Sequence, residues 1–124
     1  MKNPYKKIME YQKMIDSAPI GIFKTTSKGE VLSVNQTMAK MLGFDNPEEV
    51  IHNYNDLKKE LYAKSSRRDE FIKKLKSKSK VENFEYKALK SNNEHVWFNM
   101  NAQISEWKTK EKFIIEGYVF DITE

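Results

Sequence analysis

Over the first seventeen residues apolar side chains recur every three or four positions. Tyr5, Ile8, Tyr11, Met14 and Ile15 are separated by Lys and Glu, and this spacing predicts an amphipathic helix. Ser17-Ala18-Pro19 stops it, because proline cannot continue a helix and restricts the residue before it. The period then shortens. Ile20 to Thr26 is apolar and β-branched, Ser27-Lys28-Gly29 reads as a turn, and Glu30 to Val34 returns as the second strand of a hairpin.

A helical pattern resumes in short pieces. Asn35 can cap a helix whose apolar face is Met38, Met41 and Leu42, with Gly43 placed to end it. Asn46-Pro47-Glu48-Glu49 opens another, with a cap, Pro in the first turn and Glu three residues after the cap. Val50 and Ile51 are its apolar residues. Tyr54, Leu57, Leu61 and Tyr62 are buried candidates in a stretch of short turns. Ser65 or Ser66 can cap a longer helix running to about Lys78, with Phe71, Ile72 and Leu75 as its buried stripe.

The last third alternates with period two. Phe84, Tyr86 and Ala88 face one way in Val81–Lys90. Val96, Phe98, Met100, Ala102 and Ile104 do so in Glu94–Trp107, against Trp97, Asn99, Asn101 and Gln103. Ser91-Asn92-Asn93 and Lys108 to Glu111 are turns, and Lys112 to Thr123 is the last strand. Five strands joined largely by hairpins predict an α+β fold with a five-stranded antiparallel sheet and short helices over one face. The mixed outer face could be covered in part by the N-terminal helix.

Composition narrows the chemistry. The 124 residues suit one compact domain, divided as a flanking helix at 1–17 and a domain at 18–124. The absence of Cys excludes disulfides, thiolate zinc sites, cysteine nucleophiles and cysteinyl adducts. Met1-Lys2-Asn3-Pro4 lacks the apolar core of a signal peptide, and no run is long and apolar enough to span a bilayer. A cytoplasmic location, or the cytoplasmic part of a membrane-anchored protein, is expected. The net charge of +4 is uneven. Lys58 to Lys80 holds ten Lys and Arg against three acids, +7, which leaves −3 elsewhere. Such a block could meet nucleic acid. With Phe71, Ile72 and Leu75 read as a buried stripe rather than as a stacking surface among the lysines, a solvated helix face is the plainer reading. His52 and His95 are far apart in sequence, no catalytic set can be assembled, and no metal site is indicated.

These motifs resemble a PAS domain with its C-terminal PAC half. The first is Ile22-Phe23 through Thr26-Ser27-Lys28-Gly29 to Val34-Asn35, then Leu42-Gly43-Phe44 and Pro47-Glu48-Glu49-Val50. The second is Tyr62-Ala63, Arg68 and Phe71, then Val81 to Tyr86 and Trp97. The third is Gly117-Tyr118-Val119-Phe120-Asp121-Ile122-Thr123-Glu124. Thr26 stands where many members carry Asp, and Asn92-Asn93 replaces the usual Asp-Gly; both are turn positions that Thr or Asn can serve. The resemblance implies a sensory or interaction module of a prokaryotic signalling protein rather than an enzyme. Its effector, a histidine kinase or diguanylate cyclase, would follow the chain. Since Glu124 falls where a signalling helix would start, a segment of a longer protein is expected.

The resemblance also implies a cavity between the sheet and the short helices. By alternation Phe23, Thr25, Phe84, Tyr86, Ala88, Phe98, Met100, Ile115, Gly117 and Val119 face inward, and Met38, Met41, Leu42, Tyr54 and Leu57 close the other side. These fifteen are the candidate ligand-pocket residues, with Gly117 leaving space above the sheet. A closed apolar core shares their composition, so core and pocket stand level. Covalent flavin needs a Cys, and haem-binding members use a His on the helix before the central strand, where Ser66–Lys78 has none. A small organic ligand or none is therefore expected, with non-covalent flavin left open. Asp121, Ile122 and Thr123 are the expected output joint. Ile8, Tyr11, Ile15, Trp97, Tyr118 and Phe120 are the expected interface of a homodimer. A ligand-free dimerisation module is the first alternative and a basic nucleic-acid binder the second.

Overall fold

The structure, a computed structural model, describes residues 4–123; the Glu124 of the last motif lies outside them. Helix α1 spans Pro4–Ser17, as its periodicity predicts. All fourteen residues are exposed, so the helix does not cover the sheet. That corrects the expectation that it shields the outer face. A three- and four-residue period shows that a helix has an apolar side, not what that side meets.

Strands β1 (Gly21–Thr26) and β2 (Val31–Val34) form the first hairpin. Gly29 turns it with φ +92°, a conformation that costs other residues. Thr26 serves this turn through its hydroxyl, which accepts the Glu30 amide at 3.1 Å.

Helix α2 (Gln36–Met41) is capped by Asn35, whose Oδ1 accepts the Met38 amide at 2.9 Å. Gly43 ends it at φ +87°. Helix α3 (Pro47–Asn53) begins on Asn46, which accepts the Glu49 amide at 3.0 Å. Val50 is buried there, but Ile51 is exposed, because one turn of helix can present only one of two adjacent residues inward. Helix α4 (Leu57–Glu60) is capped by Asp56. Helix α5 (Ser65–Lys78) has Lys64 at the cap position and no side-chain cap bond, so neither Ser65 nor Ser66 caps it. Arg68, Phe71 and Leu75 form its buried stripe, with Ile72 partly buried beside them.

Strands β3 (Lys80–Leu89), β4 (His95–Trp107) and β5 (Phe113–Asp121) complete an antiparallel sheet in the order β2-β1-β5-β4-β3. The expected inward set of β3 and β4 is the observed one, with Ile104 only partly buried. Val81 and Phe84 both point inward despite their odd spacing. A bulge between them, with Asn83 at φ 53°, absorbs the extra residue. The fold is thus α+β, with α2 to α5 packed over one sheet face and the core between.

Candidate functional site

Between the sheet and the short helices lies a cavity of about 30 Å³. At roughly 10–15 Å³ per water centre it admits two or three waters. Of the expected pocket residues, Phe23, Thr25, Met38, Leu42, Tyr54, Leu57, Tyr86 and Met100 line it. Phe84, Ala88, Phe98, Ile115 and Val119 face the same way but fill the core away from it, and Met41 packs at the core's edge. Gly117 does leave space above the sheet, and the Phe23 ring occupies it. A Cβ on Gly117 would lie 2.7 Å from Phe23 Cζ and closer still to the Asn101 carbonyl. The glycine therefore seats an aromatic ring and does not line the inner cavity.

Val31, Val34, Val50, Leu61, Tyr62 and Arg68 also line the cavity, although none was a candidate by alternation. Most of its wall is apolar. Its polar groups are Thr25, Arg68 and three tyrosines. The Tyr54 hydroxyl donates to the Leu89 carbonyl at 2.9 Å. Tyr62 and Tyr86 stack with ring centres 4.5 Å apart. Burial is the largest cause pushing up all three phenol pKa values: Tyr54 to about 12, with Glu60 adding to it; Tyr62 against the opposing pull of Arg68; and Tyr86 well above the ordinary 10.0. All three hold their protons at neutral pH. Thr25 is 3% exposed, and its Oγ1 has no hydrogen-bond partner.

Arg68 is 5% exposed and belongs to no ion pair among the described residues. Its Nη2 donates to the Thr26 carbonyl at 3.1 Å, and its Cζ lies 5.8 Å from the Tyr62 ring centre and 5.5 Å from that of Phe71. A signal for it exists in the sequence: it precedes Phe71 by three and Leu75 by seven, which places it on the buried stripe.

Asn35 joins this cavity to α1. It is 2% exposed and uses both ends of its carboxamide. Oδ1 accepts from Ile22 and Met38, both at 2.9 Å; Nδ2 donates to Ile15 at 2.7 Å and Ile20 at 3.0 Å. One side chain thus ties the last turn of α1, the start of β1 and the helix carrying Met38 of the cavity wall.

At the other end, Trp97 N donates to Thr123 Oγ1 at 2.7 Å, Ile122 N to the Trp97 carbonyl at 2.9 Å, and Thr123 N to Asp121 Oδ1 at 2.8 Å. The three expected output residues therefore close β5 onto β4. Trp97, Tyr118, Phe120 and Ile122 stand 39–44% exposed on the outer face, with Tyr118 and Phe120 edge to face at 5.7 Å. A groove of about 870 Å³ separates Tyr118 and the neighbouring Lys80, Asn101, Gln103 and Glu116 of the sheet from Gln12, Ile15 and Asp16 of α1. His52 and His95 are both exposed, at the end of α3 and the start of β4. No helix of the described residues is long and apolar enough to cross a membrane.

The family model for the PAS domain matches residues 19–124. No curated protein sequence matches the chain. Among solved structures it is similar to the PAS domain of an HTR-like protein from Haloarcula marismortui, at 12% identity over 95% of this chain and 93% of that one, with a TM-score of 0.74. It is similar to a PAS domain from a two-component sensor histidine kinase, at 13% identity over 96% and 99% of the two chains, TM-score 0.75. A third is the PAS domain, in complex with ethanol, of a LuxR-family transcriptional regulator from Burkholderia thailandensis. It is 12% identical over 90% and 96%, TM-score 0.69. Identities this low carry the fold alone.

Proposed function

The chain belongs to the PAS domain family, and on that premise we propose that its inner cavity takes a small ligand whose presence is relayed to an effector beyond Thr123. The observation that carries this reading is Asn35. A ligand against Met38 pushes on the helix whose first turn Asn35 holds, and the same carboxamide holds the Ile15 carbonyl of α1. An occupant that fits one placement of α2 better than another shifts α1 by that difference in affinity and by no more. The three-heavy-atom ethanol of the Burkholderia domain is of a size the cavity here could take. The proposed effector is a histidine kinase or diguanylate cyclase in the cytoplasm; one of the similar PAS domains comes from a two-component sensor histidine kinase.

Two uncovered apolar surfaces support association into a homodimer. Ile8, Tyr11, Met14 and Ile15 of α1 are 46–66% exposed, and the aromatic outer face across the groove is also bare. One copy's α1 laid on the other's sheet covers both. A native mass spectrum recorded beside a denatured one tests both halves. A dimer carrying a small mass that denaturation releases is expected. A bare monomer at tens of micromolar chain would contradict the association and the retained ligand together.

A further inference from the structure

Arg68 forms part of the wall between the inner cavity and an outer groove of about 600 Å³. Resting on the ligand-cavity reading above, we propose that the occupant is a short monocarboxylate, of acetate size, held by the Arg68 guanidinium and the Thr25 hydroxyl.

Three observations converge. First, Arg68 carries a permanent charge, is nearly buried and has no acidic partner among the described residues. A buried charge without a counter-ion is costly, and an anion in the adjoining cavity removes that cost. Its five N–H donors exceed the bonds it makes to the Thr26 carbonyl and the Tyr62 hydroxyl, and their fork matches a carboxylate in two-pronged fashion. Second, Thr25 Oγ1 is a buried hydroxyl with no partner, on the same cavity wall. An unused buried donor costs free energy unless something else fills the place. Third, Val31, Leu42, Val50 and Leu57 line an apolar part of the wall beside the three tyrosines. Those aliphatic side chains offer a methyl group contact and nothing polar, while the space, two or three waters at roughly 10–15 Å³ each, holds the occupant to the smallest monocarboxylates.

The outer groove supplies the approach. Lys28, Lys58, Lys73 and Lys76 line it against Asp56 and Asp69, with Arg68 among its lining residues. Lys58 and Lys76 are engaged with Asp69 and Glu111, at 3.0 Å and 2.7 Å. The surplus is positive, which draws small anions toward Arg68. Part of the basic block of the sequence thereby acquires a role other than solvation.

Amide spectra of the full chain, titrated with sodium acetate, acetamide and ethanol at constant ionic strength set with sodium chloride, test the proposal. Acetate is expected to move Thr25 and the residues around Arg68 saturably, and the two neutral probes to bind at least about tenfold more weakly, since a hydrogen bond to a charged group is worth about 1.5–3 kcal/mol. Thr25→Val should weaken acetate on the order of tenfold in a folded protein. Arg68→Lys, which keeps the charge and loses the fork, should weaken it too. If ethanol or acetamide enters as readily as acetate, or acetate ignores Thr25→Val, the anion is overturned and the ligand cavity stands. If none of the three moves a cavity amide and the native mass is bare, the cavity reading falls with it.

Discussion

The carboxamide of Asn35 donates to the Ile15 carbonyl at 2.7 Å, across twenty residues of chain, while its oxygen caps the helix that carries Met38. A capping residue ordinarily serves its own helix alone. Here the same side chain also holds the end of α1, so the flanking helix and the cavity wall share one joint.

Asn35→Ala removes the cap and leaves the Ile15 and Ile20 carbonyls without their donor. A loss of about 2 kcal/mol is expected, measured as a lower urea midpoint, with faster amide exchange over 15–18. Asn35→Asp keeps the cap acceptor but sets a carboxylate against those two carbonyls. It should restore the α2 cap and not the α1 attachment, so the two variants separate the two functions of the residue.

Thr25→Val replaces an unpartnered buried hydroxyl with a methyl group of similar shape. The unliganded protein should gain about 1 kcal/mol, the cost of burying an unused polar group. The same change weakens the proposed carboxylate. Stability up and affinity down in one variant, read by denaturant titration and by ligand titration, is the signature of a group kept for binding.

Gly117→Ala drives a Cβ into the Asn101 carbonyl and to 2.7 Å from the Phe23 ring. One contact is backbone and cannot swing aside. A loss of about 2 kcal/mol or more is expected from such overpacking. Phe23→Leu combined with it should recover only the part due to the ring.

The fold was legible in the sequence because each element carried two agreeing signals. The turn at Gly29, the caps at Asn35 and Asn46, and the alternation of β3 and β4 each joined a local chemistry to a period. The site was less legible. Alternation places Thr25 and Phe98 on the same face but cannot say that one borders a void and the other fills the core. Arg68 sat within a run of lysines, and its charge concealed a helix phase that it shares with Phe71 and Leu75. Ser65 failed as a cap because the helix had already begun there. The covering of α1 depends on surfaces beyond its own period.

Alkaline pH should destabilise the protein from about pH 10. An unfolded tyrosine ionises near there, whereas burial holds the Tyr54 proton to about pH 12 and those of Tyr62 and Tyr86 above their ordinary value. The unfolded chain therefore sheds protons first, and the stability present below pH 10 is lost as pH rises through the folded values. Urea midpoints at successive pH values above 9 measure it, and Tyr86→Phe should make the decline shallower.

Tyr118→Glu places a charge beside Phe120 on the outer face. Sedimentation velocity should show the proposed dimer replaced by monomer at equal concentration. A sedimentation coefficient unchanged at high concentration would place the interface elsewhere.

The coupling of cavity to α1 is tested most directly by amide spectra of the wild-type chain saturated with whichever of acetate, acetamide and ethanol moves the cavity residues. The predicted result is that residues 15–18 and 122–123 shift with the same midpoint as Thr25, and that Asn35→Ala abolishes the response at 15–18 alone. Cavity amides that shift while both ends stay still would contradict the relay.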